Sequence, residues 1–218
     1  MPVNLPNNIS LTRIASVPLL IWILSTSRFS SQHGQKELLA SAIFILASIT
    51  DGLDGYLARR RGQITTLGML LDPLADKLLI AAAFITLVQF NPRIVPAWMA
   101  VVIIGREFLV SGLRSIAASE GFTIEASNLG KFKMFVQIFS VVAAILSHHW
   151  INWDLRYLIF PVELIARVSI WFMVALSLVS AIDYFAAFWS KINRSVVKRQ
   201  RRRAFILSRR RKRDVAAT

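Results

Sequence analysis

The chain predicts an all-α integral membrane protein of six transmembrane helices with both termini in the cytoplasm. Three observations carry that expectation. With 218 residues, 55% of them hydrophobic, only 17% charged and a mean hydropathy of +0.54, the chain is too apolar for an ordinary soluble domain of its length. Its apolar residues fall into six stretches near the ~20 residues that cross a bilayer. Its basic residues cluster in alternate connections, as the positive-inside rule requires.

The six stretches run approximately from Ile9 to Ser27, Leu38 to Arg59, Thr66 to Phe90, Val95 to Ala118, Lys133 to His149 and Val162 to Trp189. The first is expected to be a membrane helix rather than a secretory signal, because no basic segment precedes it and Arg13 stands in its first turns. Arg59, Arg60 and Arg61 follow the second stretch, and Arg106, Arg114, Lys131 and Lys133 lie in and after the fourth. Twelve Lys or Arg occupy 191–213, whereas the other connections are nearly neutral. The even-numbered connections and both termini are therefore expected in the cytoplasm. Residues 1–190 read as the transmembrane domain and 191–218 as a basic cytoplasmic tail. That tail, KRQRRRAFILSRRRKR, suits an anionic lipid surface, because the preceding helix tethers it beside one; nucleic acid is not the expected partner.

The absence of cysteine excludes disulfides, thiol nucleophiles and thiolate-bound metals. His33, His148 and His149 fall in expected connections and read as solvated or interfacial rather than as metal ligands. Carboxylates remain. Asp51, Asp54, Asp72 and Asp76 lie in or beside membrane-spanning stretches, where an unpaired carboxylate is costly and usually functional.

Spacings of three and four residues put each aspartate pair on one helical face. The second and third helices are antiparallel across a short cytoplasmic turn near Gln63, with Asp54 and Asp72 each nine residues from it. The pairs therefore meet at matched depth, and four hard oxygen ligands suit two divalent cations such as Mg²⁺. Gly52, Gly55 and Ala58 leave a groove along the second helix, which a ligand or another helix could fill. Arg59 and Thr65 at its rim could bind phosphate, although Arg59 serves equally well as a topology signal.

Together these residues spell D-x-x-D-G-x-x-A-R, eight residues, then G-x-x-x-D-x-x-x-D, from Asp51 to Asp76. The pattern resembles the signature of the CDP-alcohol phosphotransferases. The resemblance implies two divalent cations, Mg²⁺ or Mn²⁺, holding the diphosphate of a CDP-linked donor while an acceptor hydroxyl attacks and CMP leaves. It further implies that Asp51 and Asp72 bridge both metals, that Asp54 binds the first, and that Asp76 binds the second and acts as general base. Gly55, Ala58, Arg59, Thr65 and Gly68 would contact the CDP moiety.

The second half narrows the acceptor. Arg106 and Arg114 lie within about 80° on a helical wheel, and Lys131 and Lys133 open the fifth helix. Topology accounts for these charges too, but a buried Arg106 requires an anionic partner, either Glu107 or a phosphate. The strings LDPLADK, GREFLVSGLR, GK-x-K with Gln137, and PNNISLTR resemble the bacterial branch of the family that uses CDP-diacylglycerol and sn-glycerol 3-phosphate. That resemblance assigns Arg106, Arg114, Lys131 and Lys133 to the acceptor phosphate, and Asn8, Thr12 and Arg13 to the nucleotide or headgroup. It also implies a homodimer in the bacterial cytoplasmic membrane. Met134 stands where the family places threonine. The alternatives are a sister enzyme using inositol phosphate, phosphatidylglycerol or serine, and a divalent-cation transporter. The transporter is disfavoured because the carboxylates cluster toward one membrane face.

Overall fold

The structure, a computed structural model, describes the backbone of residues 5–26, 34–61, 66–123, 129–154 and 159–216, and the side chains of 11–26, 34–50, 74–123, 132–152 and 160–192. Six helices dominate it: α1 (Leu5–Ser25), α2 (Gln35–Arg61), α3 (Thr66–Phe90), α4 (Ala97–Ser119), α5 (Leu129–Leu146) and α6 (Val162–Ala216). Each coincides with one of the six apolar stretches. A small antiparallel pair, β1 (Trp153–Asp154) with β2 (Ile159–Phe160), has no counterpart in the helical reading and closes the loop before α6.

The helix boundaries differ from the apolar stretches for identifiable reasons. The fourth helix starts at Ala97 rather than Val95, because Pro96 holds extended geometry at the N-cap (φ −66°, ψ 152°) and disfavours helix in the residue before it. The sixth does not stop at Trp189. From Val162 to Ala216 there is no glycine or proline, and the basic tail is built from good helix formers, so the backbone helix runs on through it.

The first three helices and the last three form two groups. α1 packs on α2 and α3, while α6 packs on α4 and α5; contacts of α2 and α3 with α5, and of α3 with α4, join the groups. The shared core includes Leu20, Phe44, Leu79, Phe84, Ile103 and Met173. At the end opposite the aspartates, Asn91 Nδ2 donates to Ala144 O (3.1 Å) and Ser147 Oγ (3.0 Å), tying α3 to α5. His148 is exposed, as its solvated or interfacial reading expects; its Nδ1 lies 3.0 Å from Glu37 Oε1, and the ring stacks on Phe90. His33 lies outside the described residues. Glu163 and Arg167 form an i, i+4 ion pair at 2.8 Å.

The bundle is apolar on its surface as well as in its core. Every helix exposes a large apolar side chain, including Trp22, Leu46, Ile85, Val101, Phe135 and Ile182, while Arg13, Arg106, Lys133 and Gln137 are buried. Among the described residues one helical segment, Val162–Ile192, is long and apolar enough to cross a membrane, and Leu11–Ser25 and Phe132–Leu146 are shorter apolar stretches.

Candidate active site

The predicted aspartates lie on α2 and α3. Asp51 and Asp54 belong to the last three turns of α2, and Asp72 and Asp76 to the first three of α3, so the helical spacing that puts each pair on one face is present in the backbone. The side chains of Asp51, Asp54 and Asp72 lie outside the described residues, as do those of Asn8, Gly55, Ala58, Arg59, Gly68 and Lys131; Thr65 lies outside them altogether. Asp76 is described, half-buried, and it lies in the walls of two adjoining cavities.

The larger cavity, about 660 Å³, brings Asp76 together with Arg106, Arg114 and Lys133, three of the four residues assigned from sequence to an acceptor phosphate. α4 supplies the two arginines and α5 the lysine. Among the described residues its charged lining comprises Lys77, Arg106, Arg114 and Lys133 with Asp76 and Glu107. Cations converging from α4 and α5 on one cavity suit a phosphate.

The cations are held from neighbouring helices. Arg106 is 8% exposed; its Nη1 donates to Glu107 Oε1 (2.7 Å) and its Nη2 to Ser180 Oγ of α6 (2.5 Å). Lys133 Nζ also donates to Glu107 Oε1. Arg114 Nη2 donates to Tyr184 Oη (2.9 Å), with the guanidinium over the Tyr184 ring. Glu107 thus answers the partner question raised by Arg106, and it joins Lys133 of α5 to α4. Ser180 and Tyr184 escape sequence reasoning, since a serine and a tyrosine in an apolar helix carry no signal of partners 74 and 70 residues away.

Glu107 therefore has a testable structural effect. Glu107→Gln leaves two mostly buried cations sharing a neutral amide, and is expected to lower stability by ~1–3 kcal/mol, below the fully buried case because Glu107 is partly exposed. Thermal unfolding in detergent measures it, and an unchanged midpoint would show that the bridge contributes nothing.

Of the predicted donor contacts, Thr12 and Arg13 are described. Arg13 is 2% exposed and its Nε donates to Ala47 O (3.2 Å), one turn before Asp51. Its guanidinium thus braces the helix that carries the first aspartate pair. Thr12 beside it is exposed.

A six-helix bundle with paired aspartates on adjacent helices and a cationic cavity at Asp76 defines a phosphotransferase of the membrane-lipid type. Residues 3–179 match the family model described as CDP-alcohol phosphatidyltransferase, and the chain belongs to that family. A CDP-diacylglycerol–glycerol-3-phosphate 3-phosphatidyltransferase of Bacillus subtilis is 42% identical over 200 residues, which cover 88% of this chain and 98% of the relative. One of the same description from Rickettsia bellii is 34% identical, over 84% of this chain and 94% of the relative. Among solved structures, the phosphatidylinositol phosphate synthase of Mycobacterium tuberculosis with CDP-DAG bound superposes with a TM-score of 0.61 at 18% identity, covering 86% of this chain and 87% of that one. Its complex with manganese and citrate gives the same TM-score over 84% and 82%. These two likenesses establish the fold.

Proposed function

We propose that the protein transfers the phosphatidyl group of CDP-diacylglycerol to sn-glycerol 3-phosphate, giving phosphatidylglycerophosphate and CMP. The observation that carries this reading is the single cavity in which Asp76, the last aspartate of the signature, faces Arg106, Arg114 and Lys133. A phosphorylated acceptor held by those cations has its free hydroxyl within the space bounded by Asp76. The names of the relatives from Bacillus subtilis and Rickettsia bellii support the same donor and acceptor.

Asp51, Asp54, Asp72 and Asp76 supply the hard oxygen donors that two Mg²⁺ or Mn²⁺ ions require, and the solved relative was crystallised with manganese. When bound, such ions neutralise the diphosphate and stabilise the departing CMP oxygen. The chain itself does the rest. Arg106, Arg114 and Lys133, with Lys131 at the mouth of α5, hold the acceptor phosphate and so orient the terminal hydroxyl. Asp76 takes the hydroxyl proton as the acceptor oxygen bonds to the lipid-side phosphorus. The bond from that phosphorus to the bridging oxygen breaks, and CMP leaves with the electron pair. Gly55, Ala58, Arg59, Thr65 and Gly68 line the donor's path in this reading, with Asn8, Thr12 and Arg13 near its headgroup.

The reading includes six membrane crossings in the bacterial cytoplasmic membrane, with the site and both termini on the cytoplasmic side. The exposed apolar side chains on all six helices support it. Residues 191–218 then form a basic extension lying against anionic lipid.

The test is CMP release by purified protein given CDP-diacylglycerol and Mg²⁺ or Mn²⁺, with glycerol 3-phosphate, inositol phosphate, serine or no acceptor. Release that depends on glycerol 3-phosphate is expected. Release with another acceptor alone would assign a sister activity, and none with any acceptor from folded protein would sink the enzyme reading.

A further inference from the structure

Beside the cationic cavity lies a smaller one of about 200 Å³, with Ser48, Asp76, Glu107, Lys133, Met134 and Gln137 in its wall. The two share Asp76, Glu107 and Lys133, so a molecule whose phosphate sits in the larger cavity reaches Asp76 at the threshold of the smaller. Lys133, Met134 and Gln137 lie on one face of α5, which turns toward Ser48 of α2 and Asp76 of α3.

Gln137 stands out in this chamber. It is 6% exposed, and its Nε2 is a buried donor without a hydrogen-bond partner among the described residues. Buried amides are nearly always satisfied, so an unmet one in a cavity wall points to a ligand group. Its neighbours do not offer the same chemistry. The Ser48 hydroxyl proton is committed to Phe44 O (2.8 Å), Glu107 is engaged by Arg106 and Lys133, and Met134 presents a thioether where the family pattern has a hydroxyl. Gln137 remains as the neutral side chain able to donate to, or accept from, an alcohol.

We propose that Gln137 binds the second, non-reacting hydroxyl of the acceptor and is thereby a specificity-determining residue for a phosphorylated vicinal diol. The inference rests on the proposed function and deepens it. The phosphate is held by Arg106, Arg114 and Lys133, and both hydroxyls lie at the threshold that Asp76, Glu107 and Lys133 share, the terminal one at Asp76 and the middle one turned into the smaller chamber toward the Gln137 amide. An acceptor lacking that middle hydroxyl leaves the amide buried and unmet, which a site built for a hydrogen bond rejects strongly.

The experiment compares glycerol 3-phosphate with 3-hydroxypropyl phosphate, which has the same length but no middle hydroxyl, in the full-length protein with CDP-diacylglycerol and Mg²⁺. The parent is expected to favour glycerol 3-phosphate by about 10- to 100-fold in kcat/KM. Gln137→Leu should bring the ratio close to unity, chiefly by losing activity on glycerol 3-phosphate, with CDP-diacylglycerol binding unchanged as the sign of a folded site. Gln137→Glu, which keeps the shape but loses the NH₂ donor, should narrow the ratio too and serves if the leucine variant does not fold. A preference that survives both substitutions, or an equal loss on both acceptors, overturns the role of Gln137 while leaving the proposed function standing. A parent that releases no CMP with either acceptor overturns the proposed function and this inference with it.

Discussion

Asp76→Asn lowers kcat by about 10²- to 10⁴-fold, the range of a general base removed from its transition state. Asparagine keeps the shape of the side chain but can neither accept the hydroxyl proton as a base nor offer a charged oxygen to a cation. CDP-diacylglycerol binding should fall far less, because Asp51, Asp54 and Asp72 remain on the same helices. The split between turnover and lipid binding is the informative quantity. Turnover equal to the parent's would remove Asp76 as the base, while parallel loss of both would make it chiefly a ligand of the donor complex. Placement favours the first role, since Asp76 borders both the cationic cavity and the chamber of Gln137.

Chelation has the other large effect. Four carboxylates within 26 positions of an apolar chain repel one another unless cations lie between them, and the diphosphate they are read to face is anionic as well. Exhaustive EDTA treatment is therefore expected to reduce CMP release to background, with recovery on adding Mg²⁺ or Mn²⁺. A full rate after chelation would refute the two-cation reading. Recovery of donor binding alongside rate would place the cations at the diphosphate.

The two effects bear on different halves of the molecule. The aspartate signature lies on α2 and α3 and is proposed to hold the donor, whereas the residues proposed for the acceptor, with their partners, are spread over α4, α5 and α6. Arg106 and Arg114 are eight residues apart on α4, so their shared face is legible from helical spacing alone. Their partners are not. Ser180 and Tyr184 reach them from α6, and Glu107 draws in Lys133 from α5.

The fold adds partners that spacing does not show. Arg13, assigned to the donor contacts on the strength of PNNISLTR, donates from its buried Nε to the carbonyl of Ala47 on α2. His148, expected to be solvated or interfacial, is exposed, and its ring nitrogen reaches Glu37. Met134 is an isolated departure from a pattern along the chain; in the fold it lines the same chamber as Gln137 and Asp76.

The sequence by itself determined six helices and put the aspartate signature on the second and third of them, while the turn expected near Gln63 lies outside the described residues. Apolar runs, helical periodicity and short spacings are local properties, readable wherever the chain is continuous. Only the tertiary structure decided which cations share Glu107, that Arg13 Nε reaches the carbonyl of Ala47, and that Gln137 Nε2 has no hydrogen-bond partner among the described residues in the chamber that Asp76 lines. Those relations join residues dozens of positions apart, and helix packing creates them without leaving any periodic trace in the chain.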